Sequence, residues 1–269
     1  MSVHSRVAAI ALCILAPMAQ AHEYWIDAQD YTVTTDQEVT ATFRNGEEFQ
    51  GSSYSYIPRR SVRFDMVVDG EVRPVPARLG DNPAFVVEDL PDGLLTVLQE
   101  TEDQFVTYTE WAKWLKFAAH KDFSWTEAAH LERGLPQEGF REAYRRYPKA
   151  LIAVGSGAGQ DRAQGLKIEI VAEANPYTDD LSDGLPVQVL LDGAPRADAQ
   201  VEMFAKDASG AVEITLHRTD DAGRVVLPVL PGHEYLLDSV SIDPIEPEVD
   251  GDPVWRTHWA ALTFAVPEA

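Results

Sequence analysis

The chain has 269 residues, of which 44 are acidic and 22 are basic, so its formal net charge is −22. A surface this acidic attracts cations and repels nucleic acid and anionic lipid, so nucleic-acid binding is not an expected function. The single cysteine, Cys13, excludes an intrachain disulfide.

The first 21 residues have the layout of a secretory signal peptide. A short start containing Arg6 precedes an apolar run over 7–19, and the run ends in the small-x-small triplet Ala19-Gln20-Ala21 that signal peptidase recognises. We expect cleavage after Ala21 and export to the periplasm. We expect no membrane insertion of the mature chain, because no later stretch approaches the ~20 apolar residues that a span needs.

Cleavage after Ala21 makes His22 the first residue of the mature chain. An N-terminal histidine offers two nitrogen donors, its α-amine and its imidazole, which can bind one metal ion together. The apolar Tyr24-Trp25-Ile26 that follows predicts a strand that anchors this terminus. The alternative, an idle histidine at a frayed chain end, stays open.

Residues 24 to about 106 show the alternating pattern and the turn signals of an antiparallel β-sandwich. Asn45-Gly46 and Asp69-Gly70 are predicted as hairpin turns between strands. We therefore predict a first β-sandwich domain over residues 22–160.

Residues 109–147 lack the strand pattern and predict a helical insertion in this first domain. Apolar residues at helical spacing start at Trp111 and indicate the first helix. The Ser-Trp-Thr-Glu sequence at 124–127 predicts a capping box for a second helix, which Gly134 should end. A third helix is predicted over 140–147, before a proline.

From Leu166 onward the chain returns to a β pattern of about seven strands, with turn signals such as Asp192-Gly193. The glycine-rich residues 155–159 before it are predicted to be a linker. We predict a second domain over 166–269, a β-sandwich of immunoglobulin or transthyretin-like type. The expected fold class is mainly β, with two antiparallel β-sandwich domains and an α-helical insertion in the first.

Short motifs spread along the chain give it a resemblance to a known family. In chain order they are Ala21-His22-Glu23-Tyr24-Trp25, Arg133-Gly134-Leu135-Pro136, Tyr147-Pro148-Lys149-Ala150-Leu151, Glu169-Ile170-Val171 with Asn175-Pro176-Tyr177, and Trp259-Ala260-Ala261-Leu262-Thr263-Phe264. With these motifs the chain resembles the NikM-like periplasmic domain family, a domain of unknown function associated by name with nickel uptake. The resemblance implies an exported, metal-handling protein near a transition-metal transport system, and it implies no particular activity.

Four histidines are candidate metal ligands, and His22 is the first of them. His120 lies at the end of the first predicted helix, His130 lies on the second, and His258 precedes the last strand between two tryptophans. Structural alternatives stay open for these three: a solvated helix end for His120, a helical residue near a C-terminus for His130 and an interfacial core residue for His258.

Nitrogen donors without thiolate favour Cu²⁺ or Ni²⁺, and the sequence contains no His-Glu-x-x-His motif and no nucleophile elbow. We expect an exported periplasmic protein that captures Ni, Co or Cu through His22 and delivers it to a partner such as a membrane metal transporter. We expect a binding protein rather than an enzyme. Two alternatives remain: a secreted copper-dependent enzyme that oxidises polysaccharide, and a metal-free sandwich protein that binds a ligand or partner.

Overall fold

The computed structural model describes residues 22–268, so the predicted signal peptide over 1–21 lies outside the described residues. The described residues form β-strands, two α-helices and one 3₁₀ turn at Pro58–Arg60. In chain order the elements are β1 (Glu23–Ala28), β2 (Thr32–Val33), β3 (Val39–Glu47), β4 (Gln50–Tyr54), β5 (Ser61–Val68), β6 (Glu71–Pro74), β7 (Phe85–Val87), β8 (Gly93–Thr101), β9 (Gln104–Tyr108), α1 (Trp111–His120), α2 (Trp125–Glu132), β10 (Phe140–Val154), β11 (Ile168–Ala172), β12 (Leu185–Leu191), β13 (Ala194–Pro195), β14 (Gln200–Lys206), β15 (Val212–Arg218), β16 (Arg224–Leu227), β17 (His233–Pro244) and β18 (Pro253–Val266).

A mixed central sheet dominates the described residues. Its strand order is β15-β14-β17-β18-β10-β8-β5-β6, and β2 and β9 also pair with β10. The long strands β10 and β18 lie side by side in parallel, while β17 and β18 are antiparallel. Two smaller antiparallel sheets accompany it: sheet A contains β1, β3, β4 and β7, and sheet C contains β11, β12, β13 and β16.

Sheets A and C pack on opposite faces of the central sheet. Along β10, Ala150 and Ile152 belong to the hydrophobic core beneath sheet A, whereas Leu151 between them belongs to the core beneath sheet C. Neighbouring residues of a strand point to opposite faces, so these two cores lie on the two sides of one sheet. The run 150–154 is buried throughout because both faces are covered.

The two helices pack against one end of the central sheet, where β10 and β18 begin and β17 ends. Trp114 of α1 stacks on Trp255 of β18 with ring centroids 5.7 Å apart, and Phe117 stacks on Trp259 at 5.9 Å. Burial of these large rings holds the helices against the sheet. None of the helices in the described residues is long and apolar enough to cross a membrane.

The helix predictions have mixed outcomes. As predicted, Gly134 ends α2, and it adopts the left-handed conformation. The Gly134 amide donates to the Leu131 carbonyl, and the Leu135 amide donates to the His130 carbonyl. The capping box is wrong, because Ser124 has helical backbone angles and makes no side-chain cap bond. The third helix is also wrong: residues 140–147 begin the long strand β10.

The mainly β fold class is confirmed, and the helical segment is shorter than predicted, since both helices lie within 111–132. The central sheet includes strands from both predicted domains, because β10 of the first half pairs with β18 of the second. The predicted domain boundary at 160–166 therefore separates the strands of sheet A from those of sheet C along the chain. Both small sheets pack on the same central sheet.

Candidate functional site

His22 is held in place at the start of β1. Glu23 pairs with Gly46 of β3 directly after it, and Arg146 Nη2 donates a hydrogen bond of 3.0 Å to the His22 carbonyl oxygen. The imidazole is 44% exposed, and its Nε2 lies 3.2 Å from Oε1 of Glu47. The backbone of this first described residue is thus fixed by a strand and a guanidinium, while its side chain faces solvent.

The β3–β4 hairpin positions Glu47 beside His22. Glu47 pairs with Gln50, and the two residues between them, Glu48 and Phe49, both have positive φ, as a two-residue type I′ turn requires. The left-handed conformation is costly for such residues, and burial of the Phe49 ring against Trp25 at 5.7 Å offsets that cost. The predicted turn at Asn45-Gly46 is wrong, because both residues lie inside β3.

A cavity of about 300 Å³ opens next to His22 between sheet A and the central sheet. Its size lies at the lower end of the range typical of small-molecule sites. Seven of its 19 lining residues carry an aromatic ring. The rings are those of Tyr24, Phe43, Tyr54, Tyr108, Phe117, Tyr144 and Trp259.

Arg146 is the central polar group of the cavity wall. Its guanidinium carbon lies 5.4 Å from the ring centroid of Tyr24 and 4.9 Å from that of Tyr144. Nη2 bonds the His22 carbonyl, whereas the buried Nε has no hydrogen-bond partner among residues 22–268. Burial lowers the pKa of Arg146 from its usual value. A buried donor without a partner is costly, so this nitrogen is an unusual feature of the wall.

Glu142 is a buried acid in the same wall. The Tyr108 hydroxyl donates to its Oε2 at 2.8 Å, and the Thr257 hydroxyl donates to Oε1. Burial raises the pKa of Glu142 to about 7, although these two hydrogen bonds and the charge of Arg146 oppose the rise. The carboxyl group can therefore exchange a proton near neutral pH.

Behind β1 lies a buried charged cluster centred on Lys121. The Lys121 ammonium contacts Glu23 Oε1 at 3.0 Å, Glu202 Oε2 at 2.7 Å and Asp238 Oδ2 at 2.8 Å. His120, whose side chain is 47% exposed, places Nε2 at 3.3 Å from Glu202 Oε2. One ammonium thus faces three carboxyl groups, all four at most 4% exposed.

This cluster contains a possible ligand group for a metal ion, formed by Glu23, His120 and Glu202. The Lys121 ammonium already occupies the space between the carboxylates. Burial alone would lower its pKa, but the charges of Asp238, Glu23 and Glu202 raise it above its usual value. Because Lys121 stays cationic there, we interpret the cluster as a structural ion network rather than a metal site.

His130 is fully buried and uses both ring nitrogens inside the fold. Its Nε2 lies 2.9 Å from the Pro136 carbonyl oxygen, and Nδ1 accepts a hydrogen bond of 3.0 Å from Trp255 Nε1. Burial lowers the pKa of His130. This neutral imidazole joins α2 to β18 and has no nitrogen left for an ion.

His258 lies on β18 at 5% exposure, with Nδ1 3.0 Å from the Tyr147 hydroxyl. Burial, supported by the charges of Lys167 and Arg256, lowers its pKa to about 4. The structure thus places the four predicted ligands in different surroundings. The ligand group noted above contains His120 as its only histidine, and no such group in the described residues contains His22, His130 or His258.

The sequence predicts His22 as a site residue, which stays a prediction, and sequence reasoning gave no indication of Arg146, Glu142 or Lys121. The signal for Glu142 was present: in β10, Phe140 and Glu142 are two residues apart and both buried, as a strand pattern requires. It was hidden by the helix-forming composition of 140–147. Lys121 carried no local signal, because its partners are 81 to 117 residues away along the chain.

Residues 19–243 match the family described as "Domain of unknown function (DUF4198)". The chain belongs to this family. The description of DUF4198 names no metal, no transport and no activity. No curated protein matches the chain.

The chain is also distantly similar to solved structures. One is described as the "tetra-tandem repeat in extending region of large adhesion protein", with 11% identity, a TM-score of 0.21, and coverage of 91% of this chain and 49% of that one. The chain therefore spans about half the length of that protein. Another is the "D0-D1 domain of Intimin", with 10% identity, a TM-score of 0.19, and coverage of 89% and 97%. Both similarities are too distant to carry a functional argument.

Proposed function

We propose that this DUF4198 protein, processed to begin at His22, captures a divalent transition metal ion in the periplasm and passes it to a partner. The α-amine and the imidazole Nδ1 of His22 bind the ion. The association with nickel or other transition-metal uptake, and the immunoglobulin or transthyretin-like nature of residues 166–269, belong to the same proposal.

The contact between His22 Nε2 and Glu47 Oε1 carries this proposal. A histidine that binds a metal through one ring nitrogen commonly directs the other at a carboxylate, which fixes its tautomer and orientation. With Nε2 directed at Glu47, the nitrogen left for an ion is Nδ1. That nitrogen is the one close enough to the α-amine of the same residue to close a small chelate ring.

The backbone of His22 supports the same conclusion. The Arg146 hydrogen bond to the His22 carbonyl and the start of pairing at Glu23 hold the mature terminus at a fixed point. Two protein nitrogens leave further coordination positions open, which suits an ion that is to be transferred. Because the other three predicted histidines lie elsewhere, the partner or solvent supplies the remaining ligands.

The test is a calorimetric titration of Cu²⁺ and Ni²⁺ into protein that begins at His22, compared with protein carrying one extra alanine before it. We expect the extension to weaken binding by roughly a hundredfold, since it replaces the amine by an amide. Glu47→Gln should weaken binding by about tenfold to a hundredfold.

His120→Asn is the matched control, because it removes another exposed imidazole at the far end of α1. Binding should be unchanged in this variant. Equal affinity with and without the extra alanine would contradict the proposal, and a loss in His120→Asn would move the site to the Lys121 cluster.

A further inference from the structure

The cavity beside His22 differs in charge from the rest of the molecule. The chain has twice as many acidic as basic residues, with 44 against 22. The described cavity wall reverses this balance: it contains Arg60, Arg146 and His22, and its single acidic residue is Glu142. We propose that this cavity binds a small aromatic carboxylate, with the carboxylate at the two arginines and the ring among the aromatic side chains.

Arg146 is prepared for such an anion. Its guanidinium is held between the rings of Tyr24 and Tyr144, and its Nη2 is fixed by the His22 carbonyl. The buried Nε is left without a hydrogen-bond partner among residues 22–268. A planar guanidinium with a vacant donor matches the geometry of a carboxylate, and immobilisation between rings reduces the entropy lost on binding.

Several other polar groups of the wall are already hydrogen-bonded within the protein, which favours an anion at the arginines over a polyhydroxylated ligand such as a sugar. Tyr24 donates its hydroxyl hydrogen to Gln99 Oε1 at 2.9 Å, and Gln99 Nε2 donates to Ser61 Oγ at 2.6 Å. Both oxygens of Glu142 already accept hydrogen bonds from hydroxyl groups. These groups satisfy one another, whereas the Arg146 Nε is an atom of the wall that is buried without a hydrogen-bond partner among residues 22–268.

The size of the cavity limits the ligand to about one or two rings, since about 300 Å³ is at the small end of ligand sites. This inference goes beyond metal capture and needs no metal ion. A ligand carboxylate at Arg146 would lie close to His22, so a metal ion and the organic anion can occupy neighbouring positions.

The experiment titrates 2-naphthoate and benzoate into chelator-treated protein that begins at His22, and follows heat and tryptophan fluorescence, because Trp259 lines the cavity. The neutral isosteres 2-naphthamide and benzamide are titrated in parallel, together with cellobiose. We expect saturable binding of at least one carboxylate and binding of its amide that is weaker by roughly tenfold or more.

Two neighbouring arginines provide a matched pair of variants. Both arginines are exposed, but Arg60 lines the cavity and Arg59 does not. Arg60→Gln should weaken carboxylate binding roughly tenfold, and Arg59→Gln should leave it unchanged. Arg146→Lys keeps the charge but loses the planar donor pair, and it should weaken binding at least as much as Arg60→Gln.

Three results would overturn the proposal: no saturable binding of either carboxylate, equal binding of carboxylate and amide, or equal effects of the Arg59 and Arg60 variants. Binding of cellobiose alone would assign the cavity to a saccharide instead. Glu47→Gln separates this site from the metal site: Glu47 contacts His22 but does not line the cavity, so the variant should weaken Cu²⁺ binding and leave 2-naphthoate binding intact.

Discussion

Glu142 shows how one buried residue can make the free energy of unfolding depend on pH. Its pKa is raised from the ordinary 4.5 to about 7, mainly by burial, so the folded protein holds this proton more tightly than the unfolded chain does. Between these two values the folded state binds more protons, and stability therefore falls as the pH rises. We expect Glu142 to reduce the free energy of unfolding by about 3 kcal/mol from pH 4.5 to above 7.

Glu142→Gln removes this titration, so the variant should gain stability relative to the original protein as the pH rises. Urea unfolding of both proteins at pH 5 and pH 8 measures the effect as a difference, in which the titrations of Glu23 and His258 largely cancel. Glu71→Gln, an exposed carboxylate at a strand edge, serves as the control. Parallel pH curves for Glu142→Gln and the original protein would show that the carboxyl group is not destabilised by burial.

The histidines show how much of the candidate site the sequence could predict. His22 is predicted from local signals, the cleavage pattern and the apolar residues after it, and its metal-binding role stays a prediction. The sequence alone could not exclude His130 as a metal ligand. Its ring nitrogens are bonded to Pro136 and to Trp255, and Trp255 is 125 residues away along the chain. Side-chain identity is visible in a sequence, but the partners that use up its donors and acceptors are not.

At the scale of elements, the β3–β4 hairpin forms one side of the His22 site. Gly46 faces Glu23 of β1 on one side and Gly51 of β4 on the other. A Cβ at Gly46 would overlap the Gln50 carbonyl oxygen and the Gly51 Cα. Asn45-Gly46 resembles a turn sequence, but here the glycine permits a close approach of strands, and this requirement is tertiary.

Gly46→Ala should therefore destabilise the protein by about 1–3 kcal/mol, because the hairpin backbone must shift to admit the methyl group. The same shift moves Glu47, so Cu²⁺ binding at His22 should weaken as well. Denaturant unfolding and the metal titration measure the two effects. Ser52→Ala, an exposed change on the neighbouring strand, should alter neither, and a Gly46→Ala protein of unchanged stability would refute the close-approach argument.

The strand β10 is the element that sequence reasoning most clearly mistook. Its first eight residues, 140–147, include Glu, Ala and three Arg, which favour a helix by intrinsic propensity. Pairing with β9 over 140–144 and with β18 from 141 onward overrides that preference, because it gives the backbone hydrogen-bond partners on both edges of the strand's first part.

At the scale of the whole molecule, the sequence predicted the β content and the helical segment but not the shared central sheet. Turn signals report where the chain reverses, whereas the pairing of β10 with β18 joins residues more than a hundred positions apart. The sequence therefore predicts two β-sandwich domains. In the structure, two small sheets pack on opposite faces of one large sheet.

Lys121 is where these separate parts meet, since its ammonium joins β1, β14 and β17 at the end of α1. Lys121→Met would leave three buried carboxyl groups without a cation, and we expect a loss of about 3–5 kcal/mol at pH 8. The loss should be smaller at pH 5. Burial raises the pKa of Glu23 to about 7 and also raises that of Asp238, so protonation relieves the repulsion. Thermal unfolding at pH 5 and pH 8 measures the difference in this loss.

Lys113→Met is the control. Lys113 lies on α1 and forms an exposed ion pair with Glu110, which should contribute at most about 1 kcal/mol. An equal loss at both pH values would mean that Lys121 stabilises the structure through packing rather than charge.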